Sequence, residues 1–337
     1  MDYVSGEILT PKGFIKGYLG FEKNKIFEFG KGNPPKKPLC KGLIVPTFIN
    51  AHTHIGDSFI KKRKIKLPKN VEELVKPPNG LKHKLLKEAK EEEIIAGMKE
   101  SIKIMLNTGV TKFCDFRESG LEGILELKKA MTDEKLSAII LSRPSELKYN
   151  SNEIEVLLNN SDGIGLSSIS DWDFFELKKI SKHVKKRNKL FAIHASEIIR
   201  ENIDDILDLR PDFLVHMVKA TESDLIRVKD NNIPIALCLR SNAFFGLTPN
   251  IKLMKKIGIK ILFGTDNSML YTPNILDEIK FVKNHFKEFC IEELLHTITY
   301  SVRKALNLEC DILGASSKAD FVVLDKKTLK PLYISNG

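Results

Sequence analysis

The sequence predicts an α/β protein: a (β/α)8 TIM barrel with a small β domain formed from both chain termini. Three observations predict it. Strand-like segments open and close the chain, apolar runs alternate with amphipathic helical patterns between them, and there are eight such runs, each followed by a helical pattern. Eight strand–helix repeats suit a closed barrel better than an open sheet.

The opening segments 3–10, 14–21 and 25–29 alternate or cluster apolar residues, with Gly13, Asn24 and Gly30 as turn punctuation. At the other end Asp320-Phe321-Val322-Val323-Leu324-Asp325 reads as a strand, Lys326-Lys327 as a turn, and 332–334 as a short closing piece. Strands at both ends of a long middle predict that residues 1–45 and 318–337 pair into one domain, leaving 46–317 for the barrel. The eight apolar runs are 42–49, 111–116, 137–141, 163–167, 190–193, 213–215, 233–239 and 259–263. A helical pattern runs from Leu85, Leu86 and Ala89 through Ile94, Ile95, Met98, Ile102, Met105 and Leu106, stopped by Gly109. The first strand–helix connection extends from His54 to about Leu85, far beyond the usual two to six residues. With Pro68, Pro77-Pro78, Asn79-Gly80 and a structured-looking 71–75, it is expected to form a lid or pocket wall.

Composition excludes several classes. A chain of 337 residues, 42% hydrophobic and 29% charged, has ordinary globular proportions. No run approaches the ~20 apolar residues of a membrane span, and Met1-Asp2-Tyr3-Val4-Ser5 lacks the basic start and apolar run of a secretory signal, so none is expected. The five cysteines, Cys40, Cys114, Cys238, Cys290 and Cys310, are scattered and never spaced as CxxC, so a cytoplasmic location is expected. The formal charge of +10 lies in clusters such as Lys61-Lys62-Arg63-Lys64, with Glu91-Glu92-Glu93 between them. With one Trp and six Tyr there is no stacking stripe, so these are solvated faces and no nucleic-acid partner is expected. A small-molecule substrate is expected, with no membrane partner; a homo-oligomer stays open.

In such a barrel, chemistry sits at the C-terminal ends of the strands. Strand one runs into Asn50-Ala51-His52-Thr53-His54, whose two imidazoles, at i and i+2, share a face. Strand five ends in Ile193-His194-Ala195-Ser196-Glu197, strand six in Val215-His216, and strand eight in Phe263-Gly264-Thr265-Asp266. One histidine after a strand is usually a loop residue, and His183, His285 and His296 lie inside helical patterns. Four histidines and two acids on one rim are different. Imidazoles with a carboxylate suit zinc, or iron, with a position open for water. Candidate substrate-binding residues are His83 in the lid, and Arg117, Arg143 and Arg240 after strands two, three and seven. Guanidinium forks suit a carboxylate, a phosphate or a carbonyl-rich ring, although Asp115, Glu118 or Asp171 could instead pair with them.

On these residues the chain resembles the amidohydrolase superfamily, in the branch of cytosine, guanine and S-adenosylhomocysteine deaminases and triazine hydrolases. The resemblance spans nearly the whole chain, including a closing strand at 318–325. It implies His52, His54, His194 and Asp266 as metal ligands, His216 as a contact to reacting water or substrate, and Glu197 as the proton shuttle of an HxxE motif. Binuclear relatives bridge two metals with a carboxylated lysine or a glutamate after strand four. Gly163-Ile164-Gly165-Leu166-Ser167-Ser168-Ile169-Ser170-Asp171 has neither, which implies one divalent ion. Leu239, in Cys238-Leu239-Arg240-Ser241-Asn242, stands where relatives usually carry proline and bears on the pocket's shape.

The implied function is hydrolysis of a C–N bond in a small polar or heterocyclic substrate by deamination. A divalent ion lowers the pKa of its water toward about 7. Asp266 can accept a proton, Glu197 can pass one to the leaving group, and His216 can stabilise developing charge. Hydrolysis of a cyclic amide or aryl halide would use the same site. A metal-dependent nuclease on a related barrel is opposed by the flanking β domain and the His194–Glu197 spacing. A binding protein with a vestigial site is disfavoured because no metal position has been lost.

Overall fold

The computed structural model describes residues 1–132, 135–310 and 312–336. Its fifteen strands are β1 (Asp2–Thr10), β2 (Gly13–Glu22), β3 (Lys25–Lys31), β4 (Lys41–Pro46), β5 (Phe48–His54), β6 (Val110–Arg117), β7 (Ser137–Ser142), β8 (Gly163–Leu166), β9 (Leu190–Ala195), β10 (Phe213–His216), β11 (Ile235–Leu237), β12 (Ile261–Phe263), β13 (Asp266–Asn267), β14 (Asp320–Leu324) and β15 (Pro331–Asn336). Six of them form one sheet in the order β15-β14-β4-β1-β2-β3. It is antiparallel except where β1 and β4 run side by side in parallel, so the two chain ends meet across β4 and β14.

The other nine form a parallel sheet in the order β12-β11-β10-β9-β8-β7-β6-β5-β13. Its two ends are neighbours in the chain, because only Gly264 and Thr265 separate β12 from β13. Thr265 N donates to His52 O at 2.9 Å, and Asn50 and Thr265 exchange hydrogen bonds of 2.8 and 3.1 Å. The sheet therefore curls back onto its first strand.

Alternation along the strands produces two apolar layers. Ile49, Ala51, Cys114, Phe116, Ile139, Leu141, Ala192, Phe213, Val215, Ala236 and Leu262 share one cluster. Their chain neighbours Phe113, Ile140, Phe191, Ile193, Leu214, Ile235, Leu237 and Phe263 belong to another, with the helices. This period-2 split is what a sheet covered on both faces requires.

Two expectations need correction. The apolar run 42–49 is not one strand: β4 joins the six-stranded sheet and β5 the parallel one, the chain changing sheets at Thr47, whose N–H donates to Asp320 O at 3.2 Å. Pro46, lacking an N–H, lies past Ile44, where the pairing of β4 with β1 ends. The long helical pattern is likewise two helices, Leu81–Glu88 and Glu91–Asn107, because Ala89 and Lys90 are extended at ψ 146° and 147°. Glu91, Glu92 and Glu93 fall in the first turn of the second helix, where its dipole favours acids. The first helix buries Lys82.

Candidate metal and catalytic site

Local backbone irregularities aim the site's side chains. On β5 the inner cluster takes Ile49 and Ala51, so simple alternation would send His52 and His54 to the other face. The register on β6 shifts between Asn50 (opposite Phe113) and Thr53 (opposite Asp115), placing three residues against two. This bulge reverses the parity and turns both histidines inward. Asp115 pins it, its Oδ1 accepting from Thr53 Oγ1 at 2.9 Å and Ile55 N at 2.8 Å. Ser196, His216 and Asp266 have left-handed backbones, with φ of 48°, 74° and 60°. For residues other than glycine that geometry is uncommon, and it concentrates at functional sites. Gly264 is glycine for a steric reason, since a Cβ there would lie 2.6 Å from His52 Cβ.

The four histidines, Asp266 and Glu197 are all buried. His194 Nδ1–H donates to Leu166 O at 2.7 Å. His54 Nδ1 lies 3.0 Å from Phe116 O and 2.8 Å from Glu118 Oε1. Both rings therefore keep their lone pair on Nε2. His52 Nε2 faces His194 Nε2 at 3.2 Å and Asp266 Oδ1 at 3.3 Å, and His54 Nε2 is 3.5 Å from the same oxygen. Burial lowers the pKa of His52 and His194, and burial with the Lys82 ammonium takes His54 down to about 3. Burial would raise Asp266, but its hydrogen bond to His52 and the imidazoles around it hold it well below the usual carboxylate range. The His54 and His194 lone pairs converge with His52 on a carboxylate oxygen, a donor set that suits a divalent cation.

One ligand atom each from His52, His194, His216 and Asp266 lies within 4.8 Å of all the others. His216 is oriented differently, however. Asn242 Nδ2 donates to its Nδ1 at 3.2 Å, leaving Nε2 to carry the proton, 3.4 Å from Glu197 Oε1. In that tautomer His216 is a hydrogen-bond donor. Asn242 Nδ2 also lies 3.3 Å from Glu197 Oε1, and Ser241 Oγ donates to Asp266 Oδ2 at 2.5 Å. Burial pushes the Glu197 carboxyl up to about 7.

The cleft over these groups is lined by His54, His194, Glu197, His216 and Asp266, by Arg143, and by Val71, Val75 and Pro77 of the lid. The other substrate-binding candidates do not line it. Arg117 is buried against Asp115 (3.4 Å) and Glu118 (2.8 Å), and Arg240 stacks over Tyr271 at 4.3 Å. His83 Nε2 donates to Val75 O at 3.0 Å, bracing the lid from within, and burial, then Arg143 and Lys82, lower its pKa to about 3. Arg143 alone of these four reaches the cleft, its Nη2 3.2 Å from Glu118 Oε1 and its Nε without a hydrogen-bond partner. Glu118, Lys82 and Asn242 were not among the expected site residues. Glu118 had a signal, being an acid directly after strand two. Lys82 had none, because it sits in a basic stretch that reads as solvated.

The amidohydrolase family pattern matches residues 43–336. An uncharacterized protein of Methanocaldococcus jannaschii is 37% identical over 98% of this chain and 88% of its own length. The 5-methylthioadenosine/S-adenosylhomocysteine deaminase of Caldicellulosiruptor saccharolyticus is 26% identical over 82% of this chain and 68% of its own length. Among solved structures, atrazine chlorohydrolase from Arthrobacter aurescens TC1, complexed with zinc, superposes with a TM-score of 0.73 at 16% identity, covering 96% of this chain and 87% of that one. At that identity the likeness is one of fold.

Proposed function

The chain belongs to the amidohydrolase family, and we propose on that footing that it is a mononuclear hydrolytic deaminase of a small polar or heterocyclic amine. We read the curled parallel sheet as an eight-staved barrel, counting β12 and β13 as one stave, with residues 1–45 and 318–337 as its β domain. His52, His54, His194 and Asp266 would hold one divalent ion, zinc before iron. His216 stays outside the set because its Nε2 proton faces Glu197. A bound ion would supply Lewis acidity, lowering the pKa of water in the cleft.

The protein groups do the rest. Glu197 takes a proton from the attacking water and delivers it to the ring nitrogen or leaving amine. His216 and Asn242 hold Glu197 from one side, and Asp266, fixed by Ser241, relays the second proton of the attacking water to the departing amine, which leaves as ammonia. The balance is one amine and one water giving one carbonyl and one ammonia. The observation that carries the reading is a buried carboxyl that lines the cleft three residues after a metal-type histidine, where burial pushes it up to about 7. A catalytic pKa near the working pH is what proton transfer in both directions needs.

The deaminase relative supports the reading in kind. Arg143 is a substrate-facing guanidinium, and a ligand edge with paired oxygens would suit it. We assign the protein to the cytoplasm on its five free cysteines; among the described residues no helix is long and apolar enough to cross a membrane. The test is to load the purified protein with zinc and screen heterocyclic amines for ammonia release. Release of ammonia matched by loss of the amine supports deamination. Turnover of cyclic amides or aryl halides without ammonia would replace it with the other chemistry.

A further inference from the structure

Lys82, in the first turn of the lid helix Leu81–Glu88, is only 2% exposed, whereas Lys84 and Lys87 of the same helix face solvent. Its Nζ lies 2.5 Å from Glu118 Oε1, 2.9 Å from Asn267 Oδ1 and 3.6 Å from Asp57 Oδ2. The same Glu118 oxygen is 2.8 Å from His54 Nδ1. Asn267 follows Asp266 and stands opposite His54 in the β13–β5 register. One ammonium from the lid thus touches both the carboxylate that orients His54 and the neighbour of Asp266.

Burying an ammonium is costly unless it is paired and hydrogen-bonded, and an amphipathic helix ordinarily leaves its lysines in water. Here three acceptors meet it. Groups that orient metal ligands from behind govern how tightly the ion is held.

We propose that Lys82 is a positioning residue that couples closure of the lid to metal binding. With the lid down, the ammonium and the His54 N–H share Glu118 Oε1, which keeps that carboxylate behind the ring and the His54 Nε2 lone pair aimed inward. With the lid lifted, Glu118 is left to Arg117 and Arg143, and His54 Nδ1 keeps the Phe116 carbonyl as its one sure partner, so the ring is held less firmly. Linkage makes the effect reciprocal: an ion that favours the closed arrangement must also hold the lid shut. The inference rests on the reading of His54 as a ligand.

The experiment needs no substrate. Zinc affinity is measured by competition with a chromogenic chelator, and amide hydrogen exchange is followed with and without zinc in the wild type, K82M, and K82M/E118Q. The double variant removes one buried charge of each sign and guards against a folding failure in the single one. In the wild type, zinc should slow exchange in residues 71–88. Both variants should bind zinc about tenfold or more weakly, the lower end of the range for such supporting groups. At saturating zinc they should lose protection in residues 71–88 but keep it at 213–217. Wild-type affinity and lid protection in either variant would overturn the coupling while leaving the ligand assignment standing. A wild type that binds no zinc would overturn both.

Discussion

Glu197→Gln should make the metal-free protein more stable in alkali and cut the turnover of the metal-loaded enzyme. The carboxyl titrates near 4.5 in the unfolded chain, and burial moves it to about 7 in the folded one. Between those values the folded protein keeps a proton that the unfolded chain has lost. Stability is therefore undiminished below pH 4.5, falls as the pH rises toward 7, and remains low above it. At about 1.36 kcal/mol per pH unit the full penalty is about 3 kcal/mol. The substituted amide would carry no charge to bury, and its carbonyl could still accept from Asn242 and His216. Urea unfolding of chelator-treated protein should show the variant about 3 kcal/mol more stable at pH 8.5 and within about 1 kcal/mol of wild type at pH 5, and the gain at pH 8.5 corresponds to about 5 °C in Tm. Zinc content should be unchanged, and once a substrate is known kcat should fall by about 10² to 10⁴, the span of a lost general acid–base group. Equal stabilities at pH 8.5 together with normal turnover would refute the reasoning and return Glu197 to an ordinary glutamate after a strand.

The pH dependence of kcat/KM in the wild type should carry an ascending limb near pH 7, because only ionised Glu197 can accept the first proton; a flat profile from pH 5.5 to 8 would contradict that role. His52→Ala combined with His54→Ala should leave the folded protein without zinc after dialysis, read by elemental analysis. Arg143→Met should raise KM about tenfold or more once a substrate is in hand, the scale of a lost charged hydrogen bond. Arg117→Met should act on stability instead, costing about 3–5 kcal/mol in urea unfolding because Asp115 and Glu118 lose a buried partner.

The elements set by periodicity were legible in the sequence alone. All strand-like segments at the chain ends correspond to strands, and each apolar run from 111 to 263 holds one of β6 to β12. Residues at strand ends were legible as well, since His52, His54, His194, His216, Glu197 and Asp266 do meet. What failed to show is whatever depends on parity or on long-range pairing. Two histidines at i and i+2 share a face, but which face depends on a bulge that β6 imposes through Asp115. The run 42–49 looks like one strand because both sheets want the same apolar residues. Three arginines at strand ends look alike in sequence, and only packing separates Arg143 in the cleft from Arg117 beneath it and Arg240 over Tyr271. Lys82 was invisible because nothing local distinguishes a lysine that turns inward from its exposed neighbours.

The central claim is one divalent ion held by His52, His54, His194 and Asp266, with His216 left free to serve Glu197 and substrate. Anomalous diffraction at the zinc edge from zinc-loaded crystals tests it most directly. The account expects a single peak per chain, with the three Nε2 atoms and an Asp266 oxygen about 2.0–2.2 Å away and His216 Nε2 outside bonding distance. Two peaks, or one peak bonded to His216 in place of His54, would contradict it.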